Sequence, residues 1–172
     1  MASGKKLIHK INVMHNGEEA PESAYLSLIK TAVIEALRYE EVDLLCVVDI
    51  LLTDDEGIRA YNRKYRSKDI STDVLSFPMQ EFEDAGWDSR SKFELDIETG
   101  ELPLGDIIIS TESALRQAKD YGNSKEYETA YLIIHSMLHL LGYDHDNVEN
   151  EKVMHSKTKQ IIKETGLSTD DK

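Results

Sequence analysis

Cysteine is almost absent. Cys46, inside "DLLCVVDILL", is the only one in 172 residues. It has no partner for an internal disulfide and reads as a small buried apolar residue, which suits a reducing cytoplasm. Proline is scarce, at three, and no stretch rich in Gly, Ser or Pro marks a linker. A single domain over residues 1–172 is therefore expected. No internal repeat is visible. No apolar run approaches the roughly 20 residues that a membrane span needs, so no membrane partner is expected. The N-terminal "MASGKKLIHKINVMH" has no continuous apolar core, so no secretory signal is expected either. Positive charge is in deficit: 20 Lys and Arg against 33 Asp and Glu give a formal net charge of −13. At long range that sign repels DNA, RNA and anionic membranes.

What is present is a globular composition, 40% hydrophobic and 31% charged. The charge is uneven. "IRAYNRKYRSKD" carries Arg59, Arg63, Lys64, Arg66 and Lys68 within ten positions, whereas acidic residues gather in "EFEDAGWDSRSKFELDIETGE" and in the terminal "TDDK". Net charge limits attraction at a distance but not the potential at a local basic cleft. The five basic residues are candidates for holding a nucleic-acid backbone.

The element order expected is β-α-β-α-β-β-α-α-α. "KKLIHKINVMH" alternates as a half-buried strand does. "PESAYLSLIKTAVIEALRYE" opens on Pro21 and places Leu26, Ile29, Val33 and Leu37 at helical spacing. "DLLCVVDILL" reads as a strand buried on both faces. Thr53 and Glu56 match a capping box, predicting a helix through "EGIRAYNRKY". "TDVLSFPM" is a short strand that Pro78 confines to an edge. Residues 81–101 form a long acidic loop or hairpin arm, in which Trp87 has no assigned role. "LGDIIIS" is a buried strand, with Gly105 permitting close approach. "TESALRQAKDYG" and "SKEYETAYLIIHSMLHLLG" are helices closed by Gly122 and Gly142. A final helix begins near Asp146 and Glu149. The fold class is α/β (α+β): a small mixed sheet packed with about five helices.

Three of the six histidines, His135, His139 and His145, fall within eleven residues of "YLIIHSMLHLLGYDHDN". His135 and His139 are four apart, hence on one helix face. Gly142 can take the left-handed conformation that ends the helix and turns His145 back toward the pair. Paired surface histidines are commonplace. Here the helix is apolar, with Ile133, Ile134, Leu138, Leu140 and Leu141, and unpartnered imidazoles are disfavoured in such surroundings. Three imidazoles suit zinc, with copper, nickel and iron as alternatives, and leave a fourth position open. The spacing equals that of a metzincin protease, H-E-x-x-H-x-x-G-x-x-H, but Ser136 stands where those enzymes carry their Glu base.

Among other groups, Arg66 either holds a phosphate bidentately or pairs with one of many carboxylates. Asp106 and Asp144 are candidates to orient a histidine from behind, or are local caps. Ser71, Thr72 and Asp73 read as turn hydrogen bonders. Tyr61, Tyr65 and Tyr143 either stack on bases or pack. His9, His15 and His155 lack ligand spacing and are expected to face solvent.

Taken together, "HSMLHLLGYDH", "YRSKDISTDVLSFP" and "LGDIIIS" resemble the YbeY family of bacterial endoribonucleases, whose motif is close to H-G-x-L-H-L-x-G-Y-D-H. The resemblance runs from about Leu44 to His145. It implies one zinc ion per chain on His135, His139 and His145, and a phosphate-binding arginine at Arg66, with Arg66 and His135 as catalytic residues. It implies single-strand-specific cleavage of ribosomal RNA in the cytoplasm, maturation of the small-subunit RNA 3′ end, and ribosome quality control with the small subunit as partner. Ser136 departs from the usual Gly, and the 81–101 loop is longer than usual. Two other classes remain: a ribosome-binding factor with structural zinc, separable by metal-dependent cleavage, and a metalloprotease, separable by a casein digest.

Overall fold

The computed structural model describes residues 6–167. The acidic "TDDK" and the first five residues of the N-terminal stretch lie outside the described residues. The order of elements agrees with expectation. The strands are β1 (Lys10–His15), β2 (Cys46–Thr53), β3 (Val74–Pro78) and β4 (Leu102–Ser110). The helices are α1 (Ser23–Tyr39), α2 (Asp55–Arg66), α3 (Thr111–Tyr121), α4 (Lys125–Leu140) and α5 (Val148–Glu164).

The sheet runs β1-β2-β4-β3. β1, β2 and β4 are parallel, and β3 is an antiparallel edge strand that ends on Pro78. An edge is where a residue without an N–H does least damage. Alternation along the strands separates two faces. Cys46, Val48, Ile50 and Leu52 of β2 join Ile107 and Ile109 of β4 in the main core, with α1, α4 and α5 against them. The other face carries Leu75 and Ile108, which pack on Ile58 of α2. β2 is thus buried on one face only: Val47, Asp49 and Leu51 are half-buried, because α2 covers just part of the second side.

Helix α4 is central. Ile133, Ile134, Met137, Leu138 and Leu140 have no exposed surface. At about 1.5–3 kcal/mol for each such side chain, this burial outweighs the cost of half-burying imidazoles on the same helix. No helix among the described residues is long and apolar enough to cross a membrane.

The start of α2 differs from the capping box expected of Thr53. Asp54 is the N-cap, and its side chain accepts from the Gly57 N–H at 2.7 Å. Thr53 still belongs to β2, paired with Ser110, so the strand runs one residue further and the cap moves with it. Asp55 then ties α2 to α3. Its carboxylate accepts from the hydroxyls of Ser110 and Ser113 and from Arg116, each at 2.7 Å, and the guanidinium holds it well below the usual carboxylate range. At Gly105, φ is +150°, and a Cβ would lie 2.4 Å from the Phe77 carbonyl oxygen. Only glycine lets β3 approach β4 there.

Candidate metal centre

The helical spacing of His135 and His139 does what geometry requires. Their ring centroids are 4.8 Å apart on the half-buried stripe of α4. Immediately after α4 the chain reverses. Gly142 has φ +90°, and a Cβ there would sit 2.6 Å from Phe82 Cβ. The reversal brings the His145 ring to 4.9 Å from that of His139 and 5.9 Å from that of His135. One ring nitrogen from each of the three lies within 4.8 Å of the others. A tetrahedral ion with bonds of about 2.0–2.1 Å needs its ligands about 3.4 Å apart, so side-chain adjustments of about an ångström close the set.

Two details fit a metal. His139 Nδ1 faces the Tyr143 carbonyl oxygen at 3.0 Å, which places the proton on Nδ1 and leaves Nε2 free to bind. His135 Nδ1 is buried with no hydrogen-bond partner, an expensive arrangement unless the ring is fixed by something else. Burial first, then the neighbouring His139 and His145, push the His135 pKa down to about 4. His139 is also lowered by burial, partly offset by the Tyr143 carbonyl. Neutral imidazoles are the ligand form.

The loop carrying His145 is held from behind. The Tyr143 hydroxyl donates to Glu40 Oε2 at 2.8 Å, and Lys157 reaches Glu40 Oε1 at 2.9 Å. This links α1, the loop and α5. The 81–101 segment braces the same turn. Trp87 stacks on Phe93 at 4.7 Å and donates to Asp43, while the Gly86 N–H donates to the Leu141 carbonyl. Trp87 therefore secures the loop, a role its sequence context does not reveal.

The three histidines sit in a cavity of about 1040 Å³. Arg66 lines it as well. α2 covers the other sheet face, but its last residue reaches the β3 edge, where Nη2 donates to the Ser76 carbonyl at 3.0 Å. Arg66 forms no ion pair among the described residues, so the salt-bridge alternative does not apply. The remaining basic candidates are not brought to the site. Arg59, Arg63, Lys64 and Lys68 lie outside the cavity lining. Arg59 grips Asp69 with two hydrogen bonds, Arg63 lies 3.9 Å from the same carboxylate, and Lys64 lies over the Tyr65 ring. Tyr61 and Tyr65 stack on each other, away from the cavity.

Asp106 is not brought to the histidines. It shares a face with Ile108, opposite α4, and stands beside Asp49, with burial and that neighbour raising its pKa. Asp144 does line the cavity, but its carboxylate accepts from the His145 backbone N–H at 2.7 Å and so shapes the loop. The backbone carbonyl of Tyr143 takes the orienting role that was expected of a carboxylate. Ser136, at the position of the protease Glu, is fully buried and faces the core.

The protein-family model described as "Endoribonuclease YbeY" matches residues 10–166. The chain belongs to the YbeY endoribonuclease family. A curated "Endoribonuclease YbeY" from Caldanaerobacter subterraneus subsp. tengcongensis is 45% identical over 142 residues, covering 82% of this chain and 87% of that one. Another, from Listeria monocytogenes, is 44% identical over 140 residues, covering 81% and 86%. The solution structure of TM1509 from Thermotoga maritima has a TM-score of 0.57 at 26% identity, covering 94% of this chain and 99% of that one.

In this YbeY-family chain the cavity includes residues that spacing alone did not single out. Tyr131 precedes His135 by one helical turn, and its ring lies parallel to that imidazole at 6.3 Å. Its hydroxyl meets His155 Nδ1 at 2.7 Å. His155 and Lys159, one turn apart on α5, both line the cavity. His155 is exposed, as expected, and it stands at the site's rim. The same expectation is corrected for His9, which is half-buried and whose Nδ1 accepts from the Cys46 N–H at 3.1 Å. The readable signal for Tyr131 was the i−4 position relative to a ligand. α5 carried no comparable signal.

Proposed function

We propose that the chain is a zinc-dependent endoribonuclease that cuts single-stranded ribosomal RNA, binding one ion through His135, His139 and His145. We further propose that it acts in the cytoplasm on the small ribosomal subunit, in 3′-end maturation of its RNA and in quality control. One observation carries the enzymatic reading: three imidazoles converge in a cavity that also holds Arg66, a guanidinium without a carboxylate partner among the described residues. A bound zinc ion supplies Lewis acidity and lowers the pKa of water at its open position. The chain supplies the rest. Arg66 spends one N–H on Ser76, which fixes the guanidinium plane and leaves its other donors for phosphate oxygens. It stabilises charge that develops on the phosphate as the bond breaks. His135 and His139 are half-buried, so a phosphate that reaches them belongs to a strand free of its duplex. His145, on the exposed side, leaves the set accessible, which favours catalysis over a closed structural site.

The test compares single-stranded and duplex RNA of one sequence. The expected result is cleavage of the single strand only. Arg66→Glu should lose at least about 100-fold in rate and keep its zinc, the size typical of removing one charge-stabilising donor. His139→Ala should lose both. Undiminished cleavage by purified His139→Ala would remove the histidines from the reaction.

A further inference from the structure

The cations around the cavity sort into two groups. Arg59 and Arg63 face Asp69, and Lys157 pairs with Glu40. Two basic residues line the cavity without forming an ion pair among the described residues: Arg66 and Lys159. They come from different walls. Arg66 stands at the end of α2 beside the β3 edge, and Lys159 stands on α5, which packs on α1 and α4. The carboxylates that line the same cavity keep their charge, but their hydrogen bonds come from neutral donors and not from Lys159. Asp73 accepts from Gln117 and from the Val74 N–H, Glu128 accepts from Asn123, and Asp144 accepts from the His145 N–H. Among the described residues Lys159 is thus a cation without an ion-pair partner, in a protein of net charge −13.

The wall that carries it is built, not loose. The Tyr131 hydroxyl and His155 Nδ1 join α4 to α5 at 2.7 Å, one turn before Lys159 on the same face of α5. Elsewhere in the cavity lining Tyr121 ends α3, and Gly122 (φ +68°) terminates the helix directly after it. Tyr121 lines the cavity, is 70% exposed and has no aromatic neighbour among the described residues. A cation and an open aromatic face lining one cavity are the combination that holds single-stranded nucleic acid without reading its sequence. The cavity, at about 1040 Å³, exceeds what one phosphate ester fills.

We infer that the cavity holds a second RNA contact, in which Lys159 on α5 holds the phosphate next to the one being cut and Tyr121 at the end of α3 stacks on a neighbouring base. This rests on the reading of the chain as an RNA-cutting enzyme. The strand then crosses the cavity from Arg66, past the histidines, to Lys159.

The experiment uses the zinc-loaded full chain with a single-stranded RNA octanucleotide and with a dinucleoside monophosphate, which has no neighbouring phosphate. Lys159→Glu should raise KM on the octanucleotide about tenfold, with kcat and zinc content held within about twofold. Its effect on the dinucleoside monophosphate should be under about twofold. The slope of log affinity against log salt should flatten by about 0.7, the value for one lost contact on a single strand. Tyr121→Ala should raise the octanucleotide KM as well. Lys30→Glu, the same charge change on the exposed side of α1 and outside the cavity, should leave KM where it was. An unchanged KM for Lys159→Glu, or an equal loss on both substrates, overturns the inference. If the wild type cuts neither substrate, the enzymatic reading fails, and fluorescence anisotropy with a labelled octanucleotide decides the second contact separately. Tenfold weaker binding by Lys159→Glu supports it, and equal binding refutes it.

Discussion

His139 Nδ1 and the carbonyl oxygen of Tyr143 face each other at 3.0 Å, four residues apart and across the end of α4. This one contact sets the tautomer of a candidate metal ligand and holds the returning loop to its helix. Because the acceptor is backbone, it survives any change of the Tyr143 side chain but not a change in the path of the turn.

Substituting the turn glycine separates these roles. Gly142→Ala forces a left-handed conformation, at about 1–2 kcal/mol, and drives a methyl into Phe82. Thermal unfolding should fall by about 3–8 °C. Zinc affinity should fall as well, because His145 is displaced. Calorimetry and a competitive zinc titration measure the two, and a variant with wild-type zinc affinity contradicts the role given to the turn.

Tyr143→Phe makes the opposite prediction. It removes the hydroxyl that donates to Glu40 and keeps the carbonyl that orients His139. Stability should drop by about 1 kcal/mol, with Glu40 still paired to Lys157. Zinc stoichiometry should stay at one. Loss of metal in this variant means that the side chain, not the backbone, organises the ligand.

The histidines also make the metal-free protein sensitive to acid. An unfolded histidine titrates near 6.5, whereas folded His135 is pushed down to about 4. Below pH 6.5 the unfolded chain binds the extra proton and the folded one does not. Stability is therefore full above about 6.5 and is lost as pH falls toward 4. Urea unfolding at pH 7 and pH 5 should differ by about 1–2 kcal/mol from this group, with the residual exposure of the ring allowed for. His135→Gln should flatten that difference, and an unaltered pH slope contradicts it.

Much of the fold was legible because its signals are local. Strand alternation, helical spacing, Pro78 at an edge and Gly142 at a reversal each act within a few residues, and the nine elements among the described residues follow. The candidate metal triad was legible for the same reason, since His135 and His139 lie on α4 and His145 lies five residues past its end. What escaped the sequence depends on packing between distant segments. Asp106 reads from the sequence as either a support behind a histidine or a strand-end cap, and its strand parity turns it toward the α2 face. The cluster Arg59–Lys68 looked like one basic surface, whereas the pitch of α2 delivers only Arg66 to the cavity and leaves Arg59 to Asp69. His155 and Lys159 become visible only once α5 folds back along α4.

The most direct measurement is RNA cleavage by the purified protein stripped of metal and then reloaded with zinc, beside His135→Ala treated identically. The account predicts that cleavage of single-stranded RNA disappears on stripping and returns with one equivalent of zinc, while His135→Ala stays inactive throughout. Cleavage that persists in the stripped protein, verified free of metal, would contradict it.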